Sequence, residues 1–224
     1  MLLVASQMFA DIAGFSAWSS EREPYQVFQL LESLYYGFDR IAHRLGVFKV
    51  DTIGDCYVAV AGLCRTNPHH ALTMARYSME CLAFMGELIK EMEVALGPGT
   101  ADLGMRFGLH SGPVIAGVLR GEKSKFQLFG DTVNTALRME SLSDVGAIHV
   151  SQETADMIVA CGKEKWLSER QDMISIKGKG KSKVSSGIEE LLRLLSSRRP
   201  NLAITFADFL VRQDRRASVA KMYY

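Results

Sequence analysis

The chain has 224 residues, of which 48% are hydrophobic and 23% charged, with 26 Lys and Arg against 25 Asp and Glu. This composition is typical of one globular domain with a substantial core. A net charge of +1 gives no overall electrostatic reason to expect nucleic acid or an anionic membrane as a partner. The longest apolar stretch, around residues 56–64, is too short to span a bilayer, and no signal peptide is expected.

The four cysteines are scattered without the paired spacing of a zinc site or a disulfide framework. Reduced thiols and a cytoplasmic location are therefore expected. The charge is uneven, because residues 163–224 hold 14 Lys and Arg against 7 Asp and Glu, a net of +7. This basic segment is typical of a solvated surface or linker.

The spacing of apolar residues predicts the elements of the first half of the chain. In order they are a strand (2–11), a helix (27–45), two strands (47–53 and 56–62), a helix (67–94) and a strand (105–110). Pro24 and Gly46 suit the two ends of the first helix. Gly54 and Asp55 separate the second and third strands, which should pair as a hairpin.

This βαββαβ order indicates an α+β fold with a ferredoxin-like core, in which both helices pack on one face of a mixed or antiparallel sheet. A C-terminal αβ extension follows, with strands at 114–119, 126–129 and 148–150, helices at 131–142 and 151–160, and a hairpin of 166–167 with 173–177. We expect one domain over residues 1–180. Residues 181–224 are expected to be a basic tail, either helical or a linker.

Two acidic residues lie where predicted strands end. Asp11 closes the first strand in FADIAGF, and Asp55 lies in the hairpin turn of KVDTIGDCY. In a ferredoxin-like sheet the first strand lies between the strands that its crossovers join, so both carboxylates can meet at one edge of the sheet. Mg²⁺ prefers hard oxygen ligands and typically takes one or two protein carboxylates together with substrate phosphates. An Asp at a strand end or in a Gly-Asp turn is more often a turn former, so the pair alone does not establish a metal site.

Three other segments hold further candidates. In FADIAGFS, Gly14 allows a close backbone approach ahead of a helix whose N–H groups favour phosphates. In FGDTVNTALRME, Asn134 and Arg138 are four apart and project from one face of a helix. An amide and a guanidinium together suit a sugar and a transferring phosphoryl group. In IKGKGK, Lys177 is either a phosphate-reaching lysine or part of a solvated basic turn.

The sequence resembles the catalytic domain of class III nucleotidyl cyclases, the adenylate and guanylate cyclases, in five segments: FADIAGF, FKVDTIGDCYVAVAGL, GLHSGPVIAGVL, FQLFGDTVNTALRMES and IKGKGK. The resemblance covers about residues 3–180, and five ordered motifs at family-like spacing argue against a chance match. It implies an enzyme that converts a purine nucleoside triphosphate to its 3′,5′-cyclic monophosphate and pyrophosphate.

The resemblance also implies roles for individual residues. These are metal binding for Asp11, Asp55 and the backbone carbonyl of Ile12, catalysis for Asn134 and Arg138, and phosphate binding for Gly14, Phe15, Arg120 and Lys177. Two ions, Mg²⁺ or Mn²⁺, would activate the ribose 3′-hydroxyl and neutralise the leaving pyrophosphate, as two-metal sites do for in-line displacement. Arg138 would stabilise charge that develops on the equatorial phosphate oxygens, and Asn134 would orient the ribose.

Two positions are expected to select the purine base. In the family they typically hold Lys and Asp for adenine or Glu and Cys for guanine, and here they hold Asp51 and Gln127. An ionised Asp51 accepts hydrogen bonds, so it suits guanine N1–H and its amine but opposes the lone pair of adenine N1. Gln127 can serve either base. The sequence therefore favours GTP, with adenylate cyclase specificity as the alternative.

The chain departs from the family pattern in two places. The arginine expected in the loop after AGV is displaced to Arg120, which precedes Gly121. The KGKG turn is followed by GKSKVSSGIEELL instead of a strand rich in Thr, Tyr and Trp. The closing strand is therefore absent, replaced or supplied by the tail, and the placement of Lys177 depends on which of these holds.

An active cyclase is the favoured function, because a degenerate subunit would usually lack some of the motif residues that this chain retains. The alternatives are a catalytically silent nucleotide-binding regulatory module and a palm-like dinucleotide synthase, which leaves Asn134 and Arg138 unexplained. In the family each site is built from two subunits, so a homodimer is implied. A longer protein with sensor or membrane segments elsewhere is compatible with this interpretation.

Overall fold

The computed structural model describes residues 2–63, 67–120 and 124–169 and three short strands beyond them. In chain order the elements are β1 (Leu2–Ala13), α1 (Phe15–Ser20), α2 (Pro24–Leu45), β2 (Phe48–Ile53), β3 (Cys56–Ala61), α3 (His70–Leu96), β4 (Gly104–Leu119), β5 (Lys125–Phe129), α4 (Asp131–Ser141), β6 (Ile148–Val150), α5 (Gln152–Ala160), β7 (Ser168–Glu169), β8 (Ile174–Ile176), β9 (Gly180–Ser182) and β10 (Ser185–Ser186). Within this described part of the chain, none of the helices has both the length and the apolar character of a membrane span.

One mixed sheet organises the molecule. Its strand order is β2-β3-β1-β4-β6-β10-β7, and β5 pairs with the second half of β4. The first four strands of this order pair antiparallel, whereas β4 and β6 pair parallel. The order β2-β3-β1-β4 is that of a ferredoxin-like core, so the predicted α+β fold is confirmed.

The main core lies where α2 and α3 pack on one face of this sheet. In α2 the buried positions Leu30, Leu34, Phe38 and Ile41 recur at helical spacing. Four methionines of α3, Met74, Met79, Met85 and Met92, are at most 1% exposed. Their flexible side chains fill core space between the helices and the sheet.

The opposite face of the sheet is partly covered by α4. Gly108 of β4 makes this packing possible, because a Cβ atom added there would lie 1.9 Å from the backbone nitrogen of Glu140. Only a glycine therefore lets the α4 backbone rest directly on the strand. This contact fixes α4 against the middle of β4 and determines where its side chains point.

One difference from the prediction concerns β4, which is a single strand of 16 residues where the sequence predicted two. The Gly112-Pro113 pair does not end it. At Pro113 the strand is paired only with β1, since β6 pairs at 107–109 and β5 at 115–119. A proline without an amide hydrogen is tolerated where one side of a strand has no partner.

The other differences lie at the ends of later elements. The helix α4 begins at Asp131, with Gly130 as its cap, and ends at Ser141, one residue before the predicted end at 142. Trp166 lies in a short 3₁₀ helix and β8 pairs with β9, so the predicted hairpin of 166–167 with 173–177 is wrong. The strand β10 joins β6 in the main sheet beyond the boundary expected at residue 180. The tail from 187 to 224 lies outside the described residues.

Candidate active site

The structure brings Asp11 and Asp55 together. Asp11 lies near the end of β1, and Asp55 follows Gly54, whose φ of +63° forms the tight turn between β2 and β3. Because Ala10 of β1 pairs with Tyr57 of β3, Asp11 lies beside this turn. Burial, followed by the charge of Asp11, raises the pKa of Asp55. The two carboxylates are therefore close enough to repel each other when both are ionised.

The turn that carries Asp55 is held from the helical face of the sheet. The Tyr35 hydroxyl on α2 donates a hydrogen bond of 2.9 Å to the carbonyl oxygen of Gly54. Burial, with a further contribution from the charge of Asp55, raises the pKa of Tyr35. Tyr35 therefore stays protonated and remains a donor to the turn at neutral pH.

These donors fit a divalent cation. The carboxylates of Asp11 and Asp55 are hard oxygen ligands, and the backbone N–H of Ile12 lies close enough to donate a hydrogen bond to Asp55. Burial raises the pKa of the neighbouring Cys56 thiol to about 12, so this thiol stays protonated at neutral pH when no metal is bound. Among the described residues there is no group of three or more His, Cys, Asp or Glu side chains that could hold a metal. A metal here would rely on the two carboxylates, backbone oxygen and non-protein ligands.

Arg106, which the sequence analysis did not assign, also belongs to the site. It is the direct strand partner of Asp11 across β1 and β4, and its Nη2 lies 2.6 Å from Asp11 Oδ2. Its Nε lies 3.2 Å from Oε1 of the buried Glu140 on α4, but outside hydrogen-bonding direction. The hydrogen bond to Asp11 raises the pKa of Arg106, and burial raises the pKa of Glu140. One guanidinium thus bridges two acids.

The predicted phosphate loop follows β1 directly. Gly14 has a φ of +84° and precedes α1, which starts at Phe15. The loop is fixed by Trp18, whose indole Nε1 donates a hydrogen bond of 3.1 Å to Thr100 Oγ1 in the segment between α3 and β4. Gly14 and Phe15 therefore lie next in the chain to the Asp11 carboxylate, on an anchored segment.

The two expected base-reading positions lie on β2, which pairs with β3, and on β5, which pairs with β4. Asp51 of β2 receives hydrogen bonds from the Thr52 backbone nitrogen, at 2.9 Å, and from Lys125 of β5, at 2.6 Å. The hydrogen bond from Lys125 is the main reason why the pKa of Asp51 is lowered. Gln127 is two residues after Lys125 and therefore lies on the same face of β5. The structure thus places Asp51 and Gln127 on facing strands.

Asn134 and Arg138 lie on the outer side of α4. At 3.6 residues per turn the two side chains are about 40° apart around the helix axis. The buried positions Thr135, Ala136, Met139 and Glu140 lie on the side that faces the sheet. Asn134 is exposed and Arg138 is half-buried. The structure therefore does not bring Asn134 and Arg138 to the Asp11 carboxylate of the same chain.

Arg120 is the described one of the two remaining predicted residues. Arg120 is exposed and lies just after β4 ends at Leu119. Lys177 lies outside the described residues. Its role as a phosphate contact and that of Arg120 stay predictions.

The residues that the sequence analysis missed left only weak signals in the sequence. Glu140 follows Ala136 by four residues and so falls on the apolar side of α4, where an acid indicates a paired charge. Arg106 alternates with Met105 and Phe107 and looked like an ordinary solvent-facing strand residue. Its partner Asp11 is 95 residues away in the chain, and this pairing depends on the β1–β4 register.

Comparison with known proteins agrees with the fold. Residues 4–185 match the family described as the adenylate and guanylate cyclase catalytic domain. The chain is 42% identical over 184 residues to the germination-specific adenylate cyclase of Dictyostelium discoideum, covering 80% of this chain and 20% of that protein. It is 40% identical over 173 residues to the receptor-type guanylate cyclase Gyc76C of Drosophila melanogaster, covering 77% and 11%.

Among solved structures, the guanylate cyclase domain of RhGC from Catenaria anguillulae in complex with GTP is similar, with a TM-score of 0.71 and 36% identity. That likeness covers 84% of this chain and 97% of the other. The chain belongs to the family of adenylate and guanylate cyclase catalytic domains. It spans a fifth or less of the length of the two curated relatives, which are therefore much longer proteins.

Proposed function

We propose that this chain is a nucleotidyl cyclase catalytic domain that converts GTP, in preference to ATP, to the 3′,5′-cyclic monophosphate and pyrophosphate. The observation that carries the proposal is the pair of adjacent carboxylates, Asp11 and Asp55, at one edge of a cyclase-type sheet. In the reaction the ribose 3′-oxygen bonds to the α-phosphorus, and the bond from that phosphorus to the bridging oxygen breaks.

The residues at the sheet edge have distinct tasks in this reaction. Asp11, Asp55 and the backbone carbonyl of Ile12 would hold two Mg²⁺ or Mn²⁺ ions. Such ions supply Lewis-acid activation of the 3′-hydroxyl and neutralisation of the leaving pyrophosphate. The Tyr35 hydrogen bond to Gly54 supports this arrangement, because it fixes the turn from which Asp55 projects.

The position of α4 supports a site that is shared between two copies of the chain. Asn134 and Arg138 point away from the sheet that carries Asp11. In a two-fold homodimer the outer side of α4 can face the carboxylates of the other copy. There Asn134 would orient the ribose and Arg138 would stabilise the negative charge that develops on the phosphate oxygens.

The preference for GTP rests on the ionisation of Asp51. Lys125 lowers the pKa of Asp51, so this carboxylate is ionised and can only accept hydrogen bonds at neutral pH. Guanine offers N1–H and an amine to such an acceptor, whereas adenine N1 offers a lone pair. The two curated relatives are named for different cyclase activities at similar identity, so their names do not choose between the bases.

The direct test is to incubate the purified protein with Mn²⁺ or Mg²⁺ and with GTP or ATP separately, and to quantify the cyclic products. We expect cyclic GMP to form faster than cyclic AMP. Nucleotide binding without a cyclic product would contradict the proposal and favour a silent regulatory module.

A specificity variant tests the base-reading residues. Asp51→Lys with Gln127→Asp supplies a donor for adenine N1 and an acceptor for its amine, and Lys125→Gln removes the repulsion that a new lysine would meet. The ratio of kcat/KM for ATP to that for GTP should rise by about tenfold or more. An unchanged ratio in a folded variant, or a wild type that strongly prefers ATP, would show that Asp51 does not read the base.

A further inference from the structure

Arg106 occupies a carboxylate that the proposed reaction assigns to a metal. Its Nη2 donates to Asp11 Oδ2 at 2.6 Å, and its Nε is already 3.2 Å from Oε1 of Glu140. The side chain therefore reaches both acids from one backbone position on β4. Glu140 is 5% exposed, and the close contact of α4 with Gly108 fixes its backbone.

A cation that binds Asp11 Oδ2 competes with this guanidinium for the same oxygen. Arginine does not lose its proton in proteins, so Arg106 cannot be neutralised and has to move. Besides Asp11, Glu140 is the acid that already contacts Arg106. A buried carboxylate without a partner is costly, so Glu140 in turn gains from a closer guanidinium.

We propose that Arg106 is a resident counter-cation that holds Asp11 in the metal-free protein and moves onto Glu140 when a divalent ion binds, with Glu140 as the positioning residue that receives it. The proposal rests on the proposed function only in taking Asp11 as a metal ligand. Arg106 offsets the repulsion within the acidic cluster of Asp11, Asp55 and Glu140, and Glu140 makes the exchange reversible.

Mn²⁺ binding to the nucleotide-free protein tests this exchange without measuring turnover. Arg106→Gln removes the competing cation and should tighten Mn²⁺ binding by about tenfold, as seen by titration calorimetry or by the EPR signal of free Mn²⁺. Glu140→Gln leaves Arg106 with no second acid and should weaken binding by about tenfold. In the Arg106→Gln background the same Glu140→Gln change should have an effect of less than about threefold, since no guanidinium remains to be moved.

The chain offers a matched control. Glu80 is a second buried acid, paired with Arg44 and Arg76 between α2 and α3. Glu80→Gln and Arg44→Gln remove a comparable ion pair far from the acidic cluster, and both should leave Mn²⁺ affinity unchanged. Circular dichroism of every variant checks that the fold is kept.

NMR of the wild type provides a second measurement that does not depend on a variant folding normally. The side-chain ¹⁵Nε–Hε signal of Arg106, assigned by its loss in Arg106→Lys, should shift when diamagnetic Mg²⁺ is added. An Arg106 signal that stays unchanged while Mg²⁺ binds would overturn the proposed movement.

Other outcomes would also overturn the exchange. Equal effects of Glu140→Gln on Mn²⁺ affinity in both backgrounds would show that Glu140 acts only through its general charge. Unchanged or weaker Mn²⁺ binding in Arg106→Gln would show that Arg106 does not compete with the metal. If wild-type binding is too weak to measure, Arg106→Gln should bring it into range, and continued absence of binding counts against the proposal. Asp11→Asn separates the hypotheses, because its retention of wild-type affinity would contradict the metal site of the proposed function itself.

Discussion

At the scale of single residues, Asp55 lowers the stability of the fold at the position where we propose that it binds a metal. Burial and Asp11 raise its pKa above that of an aspartate in an unfolded chain, where the pKa is about 3.9. The folded protein therefore holds this proton more tightly than the unfolded chain does. Its contribution to stability is complete below the unfolded pKa and is lost as the pH rises through the native pKa. At neutral pH the ionised Asp55 destabilises the metal-free fold.

Replacing Asp55 should change the stability of the metal-free fold and the cyclase turnover in opposite directions. Asp55→Asn should raise the thermal unfolding midpoint of the metal-free protein at pH 7, and this gain should disappear below about pH 4. Cyclase turnover should fall to background, because a neutral amide loses most of the attraction for a hard cation. Thermal melts in chelator across this pH range, together with the cyclic-product assay, measure both effects.

The exposed Asp102 supplies the control for this prediction, since Asp102→Asn should change neither the melting profile nor turnover. A lower melting point of Asp55→Asn at pH 7 would mean that contacts stabilise the ionised Asp55 more than burial and the charge of Asp11 destabilise it. Normal turnover in that variant would contradict its role in the mechanism.

Tyr35 is expected to position the same turn. Tyr35→Phe removes only the hydroxyl that bonds to the Gly54 carbonyl, so unfolding free energy should fall by about 1 kcal/mol or less. Because Asp55 would then be less well placed, kcat should fall by about tenfold while KM for the nucleotide changes little. Tyr25→Phe, at an exposed tyrosine earlier in α2, should leave both constants unchanged. Wild-type kcat in Tyr35→Phe would show that the turn holds its shape without this bond.

The pairing of Asp11 with Asp55 could be predicted from the sequence because both lie at strand ends that a ferredoxin-like order brings to one edge. The contact of Arg106 with Asp11 could not, because it depends on the register between two strands far apart in the chain. Lys125 was missed for a similar reason, since its approach to Asp51 depends on how β5 folds back beside β2. Local patterns identify strands and turns, whereas tertiary register determines which charges meet.

At the scale of elements, the placement of α4 depends on one glycine. Gly108→Ala would put a methyl group against the backbone of Glu140, so α4 would have to move away from β4. We expect a loss of about 1–3 kcal/mol in unfolding free energy, as for other overpacked core sites. Turnover should fall as well, because α4 carries Asn134 and Arg138. Urea denaturation and the product assay measure the two effects.

Gly117 in the same strand is the matched control for the Gly108 variant. A Cβ atom added at Gly117 meets nothing within 4 Å among the described residues, so Gly117→Ala should keep wild-type stability. Equal stability of the two alanine variants would show that α4 can move away from β4 without a loss of unfolding free energy.

The elements themselves were largely predictable, and the exceptions have physical causes. The α2 helix and the β2–β3 hairpin follow from apolar spacing and from the Gly54 turn. The β4 strand was divided in two because Gly112-Pro113 normally marks a break, yet pairing with β1 carries the strand through it. The C-terminal hairpin was wrong because short strands with little apolar pattern find partners through the sheet and not through their own sequence.

At the scale of the whole molecule, the residues to which we assign catalytic and metal-binding roles form two proposed half-sites that do not meet within one chain. Asp11 and Asp55 lie at the sheet edge, while Asn134 and Arg138 lie on the far side of α4. A two-fold dimer would join unlike halves from the two copies and form two equivalent sites. Inactive chains with lesions in different halves should therefore complement each other.

Co-expression of Asp11→Ala with Asn134→Ala tests this arrangement. Each variant should be inactive alone, because both of its sites carry the same lesion. In a mixed dimer both lesions fall in one site, and the other site is wild type. With random pairing about half of the dimers are mixed, and each has one good site of two, so roughly a quarter of wild-type activity is expected. The cyclic-product assay on chains carrying two different affinity tags measures the recovery.

The combination of Asp11→Ala with Asp55→Ala provides the control for this experiment. Both lesions lie in the same half-site, so every dimer would have a damaged metal pair in each site and no activity should return. Recovery in this control would mean that subunit mixing alone restores activity. If tandem purification proves that Asp11→Ala and Asn134→Ala form mixed dimers and these remain inactive, the site would have to be built within one chain, and α4 would have to turn its outer side toward its own Asp11.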